Sequence, residues 1–425
     1  MRRTVGLVML SAVATVAVGC GDDTGAAAAP ETLTVETYNV GLAGAFIPFE
    51  AQRRAAMGPA LAADTSDVIC VQEAWLESDK EAIATAVRAR FPYVARWQHS
   101  LETAVDSEID PMCPVVPEST GAPCASMGSQ TSLNAGLSCL TRNCSTMPNS
   151  EMGQTTSTSC AQAMCVGEVA NLITTGAEGL RCYGCLAPNL PTETFASIRS
   201  QCTTNPRAGL AFGGQSGVMI LSRYPLSNTE VRVMPGTWNR RVIARATVNV
   251  PGRAPVNVYC NHLTPVFNSI AFPYTGRYGC GETGPLGWES EQRAQARRLA
   301  QYVTATAGTT PAVIAGDFNA GPEQMAAGRP TIQAEAEDTF NDLRTQFTHA
   351  VAANYVPSCT YCGDNFLTGG TDPVWIDHVF LRNLAASSVL STERTHVEAS
   401  VAVPTAPNRV PLSDHYGLRV TLRLP

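Results

Sequence analysis

Residues 66–75, SDVICVQEAW, read as a strand with no polar face until its end. Val68, Ile69, Cys70 and Val71 are consecutive, so both sides of the alternating chain are apolar and both must be covered. Such a strand belongs inside a layered fold. Other runs have the same character: TLTVETYNV (32–40), GVMILSRYPL (217–226), AVIAGDFN from residue 312, VWIDHVFL (374–381) and DHYGLRVTL (414–422). RRVIARATVNV and VNVYCNHL flank the turn PGRAP and read as a hairpin. Helical patterns alternate with these strands. Ser78 with Glu81 forms a capping-box pattern ahead of Ile83 and Val87, bounded by Pro92. Ala296, Leu299, Ala300 and Val303 make one stripe of a helix over 289–307, ended by Gly308 and Pro311. The expected fold class is therefore α/β. At 425 residues, 44% hydrophobic, the chain is long enough for one large domain or two modest ones.

Fifteen cysteines fit an oxidising compartment. Cys70 and Cys260 lie inside apolar strands and are expected to be buried thiols. Cys20 is treated separately below. Twelve cysteines then remain, nine of them between 113 and 202. Nine is odd, so complete pairing sends at least one bridge toward Cys280, Cys359 or Cys362. CYGC (182–185) and CTYC (359–362) also have the pair spacing of a zinc site; an exported chain favours disulfides. Residues 100–207 are rich in Cys, Ser, Thr, Asn and Pro, with one short helix expected around Cys165, Val169, Leu172 and Ile173. They read as a disulfide-stapled insertion without an independent core.

Arg2 and Arg3 precede an apolar run, 5–18, too short to span a bilayer comfortably. It ends in AVGC (17–20), which resembles a bacterial lipobox and makes Cys20 the lipidated residue; the alternative is an ordinary signal peptide cut near Gly19 or in the following alanines. The expected organisation is a lipoprotein signal peptide (1–20), a tether (21–31) and one domain (32–425) carrying the insertion. The chain would be exported and anchored to the cell envelope or surface through Cys20, as a monomer. Net charge is −7 with pI near 5.5, which excludes a global basic footprint for nucleic acid but not a local basic groove.

Six apolar segments finish on residues that hold metals or move protons. They deliver Asn39, Glu73, His262, Asp317 with Asn319, Asp377, and Asp414 with His415. Strand alternation places Asp317 and Asn319 on one face. Taken singly, Asn39 or Asp414 is a turn residue, Glu73 caps a loop, and either histidine is structural. His378 faces away from Asp377 on its strand and is read as structural; His99, His349 and His396 carry no assigned role. Six such endings in one chain imply that strand ends converge on a pocket.

In that order the motifs TYN, QE, NH, GDFN, IDH and SDH resemble the endonuclease/exonuclease/phosphatase superfamily, the fold of deoxyribonuclease I, neutral sphingomyelinases and inositol-polyphosphate phosphatases. The matches run from Asn39 to His415. The resemblance implies a two-sheet β-sandwich flanked by helices, with its site at one end. It also implies a metal-dependent phosphodiesterase, a hydrolase acting on ester bonds. Asn39 and Glu73 would hold magnesium, with Asp414 as a further ligand; manganese and calcium are the alternatives. Asp317 would orient and deprotonate the attacking water, with Asn319 fixing phosphate or nucleophile. His415, held by Asp377, would act as base or phosphate partner, and His262 would donate to phosphate or leaving group.

The superfamily's substrates include nucleic acids and phospholipids, and fold alone does not choose. The aromatic segment after His262 (Phe267, Phe272, Tyr274, Tyr278) either reaches a lipid interface, stacks on bases, or packs under the Cys-rich insertion. SCTYCGDNFL (358–367) resembles the substrate-side loop of sphingomyelinases and phosphoinositide phosphatases, apart from its two cysteines. Arg240, Arg241 or Arg277 is a candidate phosphate clamp, whereas Arg297 and Arg298 read as solvated. The first expectation is a phospholipid head-group phosphodiesterase of sphingomyelinase or phospholipase C type. The alternatives are a deoxyribonuclease I-type nuclease and an inactive binding or adhesion module.

Overall fold

The computed structural model describes residues 31–106, 115–117, 119–144, 157–268, 272–325, 330–405 and 407–425. The signal-peptide, lipobox and Cys20 readings, and nearly all of the tether, lie outside these residues. The strands are β1 (Thr32–Leu42), β2 (Val68–Ala74), β3 (Tyr93–Arg96), β4 (Met219–Ser222), β5 (Leu226–Met234), β6 (Arg241–Val248) and β7 (Val256–His262). They continue with β8 (Ala312–Asp317), β9 (Thr348–His349), β10 (Asp377–Arg382), β11 (Val389–Thr395), β12 (Val401–Ala402), β13 (Arg409–Val410) and β14 (Gly417–Arg423). Two six-stranded mixed sheets form, ordered β11-β14-β1-β2-β4-β3 and β5-β6-β7-β8-β10-β9, beside the small β12-β13 ribbon.

The two apolar faces of each central strand have separate partners. Val68 and Cys70 of β2 join Val35, Val258, Cys260, Val313 and Val379 in the core between the sheets. Ile69 and Val71 point outward, under Met57 and Leu61 of α1 (Glu50–Ala62) and Ile83 of α2 (Glu77–Ala86). On the second sheet Tyr259, Ile314 and Phe380 pack under Leu299 and Val303 and under Phe340 and Leu343. The expected α2 capping box does not form. Leu76 precedes the helix without a side-chain cap, and Glu81 pairs instead with Arg96 of the adjacent β3.

Residues 100–207 hold more helix than expected: α3 (Met127–Asn143), α4 (Ser157–Met164), α5 (Val166–Thr174), α6 (Ala177–Asn189) and α7 (Phe195–Thr204). Their Ser-, Thr- and Gly-rich composition hides them, because short helices are held by packing and cross-links more than by propensity. Cys124–Cys182, Cys139–Cys165, Cys144–Cys160 and Cys185–Cys202 tie them together. The core they form is shared with the sandwich, since Leu133, Leu137 and Leu186 pack with Trp238, Tyr274 and Trp288. The last two flank or belong to α8 (Gly284–Ala307), while α9 (Glu337–Gln346) follows β8. Cys280 is disulfide-bonded too, and Cys359 pairs with Cys362, so the CXXC spacings serve bridges and not zinc. Cys70 and Cys260, expected as separate thiols, are joined across the sandwich with Cα atoms 5.5 Å apart. Facing strands of both sheets turn these side chains to the same inter-sheet layer.

Behind the second sheet, His349 Nε2 lies 3.2 Å from His378 Nδ1, and His378 Nε2 lies 2.9 Å from the Ala320 carbonyl. A carbonyl only accepts, so His378 carries its proton on Nε2 and its Nδ1 accepts from His349. Burial pushes His349 down to about 3 and His378 well below its ordinary value, so both are neutral when folded. The unfolded chain binds these protons below about pH 6.5. Folding stability should therefore be intact above that value and fall as pH drops toward 3, by about 1.4 kcal/mol per pH unit for each histidine. Urea unfolding across this range should show a shallower acid limb in His349→Gln; an unchanged slope would refute the assignment.

Candidate active site

Register assembles the site. His262 of β7 is the partner of Asp317 on β8, and Asp317 is the partner of Asp377 on β10, so three strand ends form one row. Across the sandwich, β1 and β2 carry Asn39 and Glu73 near their C-terminal ends. Asn39 Nδ2 donates to Glu73 Oε1 at 3.1 Å and to Asp317 Oδ2 at 3.0 Å, bridging the two sheets. His262 Nε2 lies 3.4 Å from Asp317 Oδ2 and 3.9 Å from Glu73 Oε1. His415 Nδ1 meets Asp377 Oδ2 at 2.9 Å, while its Nε2 is 3.9 Å from Asp317 Oδ2 and 3.5 Å from Asn39 Nδ2. Residues from both ends of the sequence therefore contact one Asp317 carboxylate.

Two of these positions depart from regular strand geometry. Glu73 adopts φ +58° within β2, and Gly217 packs directly on its backbone; a Cβ there would come within 2.9 Å of Glu73 Cα. Non-glycine residues hold such dihedrals only where surroundings enforce them. Asn319 has φ +46°, because β8 ends at Asp317. Alternation consequently does not govern it. Its N–H donates to Asp317 Oδ1 at 2.9 Å and its Nδ2 to the Leu263 carbonyl at 2.9 Å, so it ties the Asp317 turn to the end of β7.

Asp414 sits beside Gly41, two residues beyond Asn39 in β1. Ser413 Oγ donates to its Oδ1 at 3.1 Å, and the His415 N–H donates to the same Oγ at 3.2 Å. Gly41 permits the approach, with φ +57° and room for no Cβ, which would lie 2.6 Å from Asp414 Oδ1. The loop at 358–367 frames this half of the site. Thr360 Oγ1 accepts the N–H groups of Ile376 and Asp377, Asn365 Nδ2 donates to the Ser413 and Asp414 carbonyls, and the Tyr361 ring lies 5.1 Å from the His415 ring.

The electrostatic environment separates the two histidines. Burial, Arg241 and His415 push His262 well below its usual value, leaving it neutral. Burial also opposes charge on His415, but Asp377, Asp317 and Asp414 outweigh it and hold the imidazolium. Burial and the neighbouring Asp377 raise Asp317 to about 7, against the pull of His415 and Asn39. A carboxyl near neutrality beside a held imidazolium suits proton transfer.

Among the basic candidates, Arg240 is committed to the Gly214, Thr103 and Ser100 carbonyls, and Arg277 Nε donates to the Val116 carbonyl. Arg241 differs. It is buried at the start of β6 with Nε and Nη1 lacking hydrogen-bond partners, and burial lowers it to about 10 despite Glu73 and Asp317. The sequence reading missed Glu291. Its buried carboxylate accepts from Thr237 N and Tyr274 Oη at 2.8 Å and from Thr264 Oγ1 at 3.1 Å, organising the segment after His262. Its signal was a glutamate on the apolar stripe of α8, between Trp288 and Gln295. Phe267 and Phe272 of that segment stack on each other 4.7 Å apart and pack against Trp238 and Trp288, under the Cys-rich helices.

The donor set fits a hard divalent cation. Glu73 is raised by burial and by repulsion from Asp414, with His415, Asn39 and Arg241 opposing. Two carboxylates crowded in this way favour an added positive charge. Asn39 turns its NH2 toward Glu73 and Asp317; Oδ1 accepts the Gly41 N–H at 3.0 Å and keeps a second lone pair. Glu73, His262 and Asp317 also bring ligand atoms within 4.8 Å of one another, as do Asp317, Asp377 and His415.

A sequence model described as the Endonuclease/Exonuclease/phosphatase family matches residues 37–415. Among solved structures, the chain is similar to sphingomyelinase C from Streptomyces griseocarneus, at 15% identity and TM-score 0.47, covering 92% of this chain and 100% of that one. A mutant beta toxin from Staphylococcus aureus, with bound magnesium ions, matches at 13% identity and TM-score 0.46 over 92% and 99%. TDP2 from Caenorhabditis elegans, in truncated form, matches at 9% identity and TM-score 0.46 over 92% and 98%. No curated protein matches.

Proposed function

The chain belongs to the endonuclease/exonuclease/phosphatase family, and from that premise we propose that it is a magnesium-dependent phosphodiesterase acting on phospholipid head groups. The observation that carries the reading is the convergence of Asn39, Glu73, His262, Asp377 and His415 on Asp317, each within hydrogen-bonding or ion-pair reach of the next.

Glu73, the Asn39 amide oxygen and Asp414 would hold the cation. When bound, magnesium neutralises phosphoryl charge and stabilises the leaving oxygen. Asp317, buried and raised toward neutrality, takes the proton of the attacking water. Asn319 fixes the turn that presents it. The His415 imidazolium, oriented by Asp377, donates to a phosphate oxygen, and Arg241 offers its unpartnered N–H groups to the same group. His262, neutral, is positioned to follow the leaving oxygen.

Two features favour a head group over a polymer. Net charge −7 gives no long-range attraction for a polyanion. Tyr361, beside His415, offers an aromatic face suited to a quaternary ammonium next to the phosphate. The nuclease reading draws on a cavity of about 780 Å³ lined by Arg181, Arg207, Arg240, Arg277 and Arg298 without a carboxylate, which contains none of the site residues. The disulfides suit export, and no helix among the described residues is long and apolar enough to cross a membrane.

The test is a panel of choline phospholipid vesicles and plasmid DNA, each with and without chelator, using wild type and Glu73→Gln. Wild type should release phosphocholine or its lipid counterpart only with magnesium. Glu73→Gln should need about tenfold more magnesium or higher and lose the magnesium-dependent rise in melting temperature. DNA cleavage with steep salt inhibition would move the assignment to a nuclease. Chelator-insensitive turnover, or none on either substrate, would refute the proposal.

A further inference from the structure

The Cys359–Cys362 bridge is the part of the site loop with no role in the hydrolytic reading. Cys359 and Cys362 are bridged to each other, three residues apart, in the loop that carries Thr360 and Tyr361. Their environment is asymmetric. Cys362 is fully buried, whereas Cys359 is half-buried. The four bridges of the helical segment and the Cys70–Cys260 pair use buried cysteines throughout. Besides Cys359, Cys280 is the other bridged cysteine among the described residues that is not buried. Arg394 of β11 brings Nη1 to 3.3 Å from Cys362 Sγ, 3.7 Å from Cys359 Sγ and 3.1 Å from the Cys359 carbonyl. Its guanidinium is held 4.7 Å over the Tyr416 ring, next in sequence to His415.

We propose that Cys359 and Cys362 form a thiol–disulfide exchange site, opened by an external dithiol, whose opening loosens the loop that orients Asp377 and His415. A thiolate of the dithiol attacks the reachable Cys359 sulfur. The S–S bond breaks and its electron pair leaves on Cys362, where the Arg394 guanidinium stabilises the thiolate. The second thiol of the reductant then attacks the mixed disulfide and releases Cys359. Two electrons and two protons pass to the cysteine pair, and the reductant leaves as its own disulfide. The consequence at the site follows from position. Thr360, between the cysteines, caps the N–H groups of Ile376 and Asp377, and Tyr361 packs on His415. Removing the cross-link restores conformational freedom to this four-residue turn and lowers the fraction of molecules with the pair in register.

The activity consequence rests on the phosphodiesterase reading; the chemistry of the exchange does not. Folded full-length protein is titrated with dithiothreitol, quenched with iodoacetamide and mapped by peptide mass. Cys359 and Cys362 should label before Cys280 and before every buried pair, and Arg394→Gln should slow that labelling several-fold. Reduction should lower kcat several-fold with KM little changed, and reoxidation should restore it. Cys359→Ser/Cys362→Ser should match the reduced enzyme and ignore the reductant. Hydrogen exchange at 374–377 and 413–416 should rise on reduction, a readout that stands even if no phosphoester is turned over. Labelling of the buried bridges or Cys280 first, or complete labelling of Cys359 and Cys362 with unchanged exchange, overturns the proposal.

Discussion

Asp317→Asn is expected to lower kcat by about 10²–10⁴-fold while leaving the protein as stable as wild type or more so. The side chain is 1% exposed and both oxygens are engaged: Oδ1 by the Asn319 N–H, Oδ2 by Asn39 Nδ2. Asparagine keeps the first contact. At the second position its NH2 would face the Asn39 NH2 and His262 Nε2, donor against donor, and it accepts no proton. Proton removal from water at this point is therefore lost. Stability should move the other way. Burial and Asp377 both disfavour the Asp317 anion, so exchanging it for a neutral amide relieves a folding cost that builds above the ordinary carboxylate range and is complete by about pH 7, and this relief opposes the lost Asn39 contact. Steady-state kinetics and thermal unfolding, run on the same preparations, read the two effects separately. A kcat within a few-fold of wild type would show that Asp317 is not the proton acceptor, and a large drop in melting temperature would show that its contribution is structural.

That opposition of activity and stability marks the places where sequence was legible and where it was not. The apolar runs that carry Asn39, Glu73, His262 and Asp317 toward their C-terminal ends were readable because alternation and length report strands directly, and Asp377 joins them by opening the antiparallel β10. Register then did the rest, placing His262, Asp317 and Asp377 in one row. Asn319 was misplaced because period-two reasoning stops where φ turns positive, and nothing in GDFN announces that turn. Glu73 has the same left-handed backbone, enforced by Gly217, which lies 144 residues away in the chain. The five helices between 124 and 204 were obscured by residues that are poor helix formers until disulfides and Trp238, Tyr274 and Trp288 give them something to pack on. Glu291 was passed over in the sequence; only the fold brings Thr237, Thr264 and Tyr274 to its carboxylate.

The same tertiary dependence makes Asp377→Asn the more informative substitution at the histidine. Asp377 Oδ2 accepts from His415 Nδ1 at 2.9 Å, and Thr360 Oγ1 fixes the Asp377 backbone. Burial alone would strip the proton from His415; the charge of Asp377, with Asp317 and Asp414, keeps it. An asparagine in this place still fits but removes that charge and can present an N–H to Nδ1, favouring the wrong tautomer. A loss of roughly 10²–10⁴-fold in kcat at neutral pH is expected, by analogy with the loss of a histidine-orienting carboxylate in hydrolytic triads. The sign of the pH effect follows. His415 is held above its ordinary value in wild type, so it stays protonated through neutrality and loses its proton only in alkali. In Asp377→Asn that loss moves to lower pH, and the alkaline limb of the kcat profile should move acid-ward with it. The deficit of the variant relative to wild type should accordingly narrow as pH is lowered toward 5, because Asp317 loses its charge equally in both, whereas the deficit of Asp317→Asn should not narrow. If the two variants give superimposable profiles, His415 does not act as an imidazolium. The donor to phosphate must then be sought in Arg241 alone.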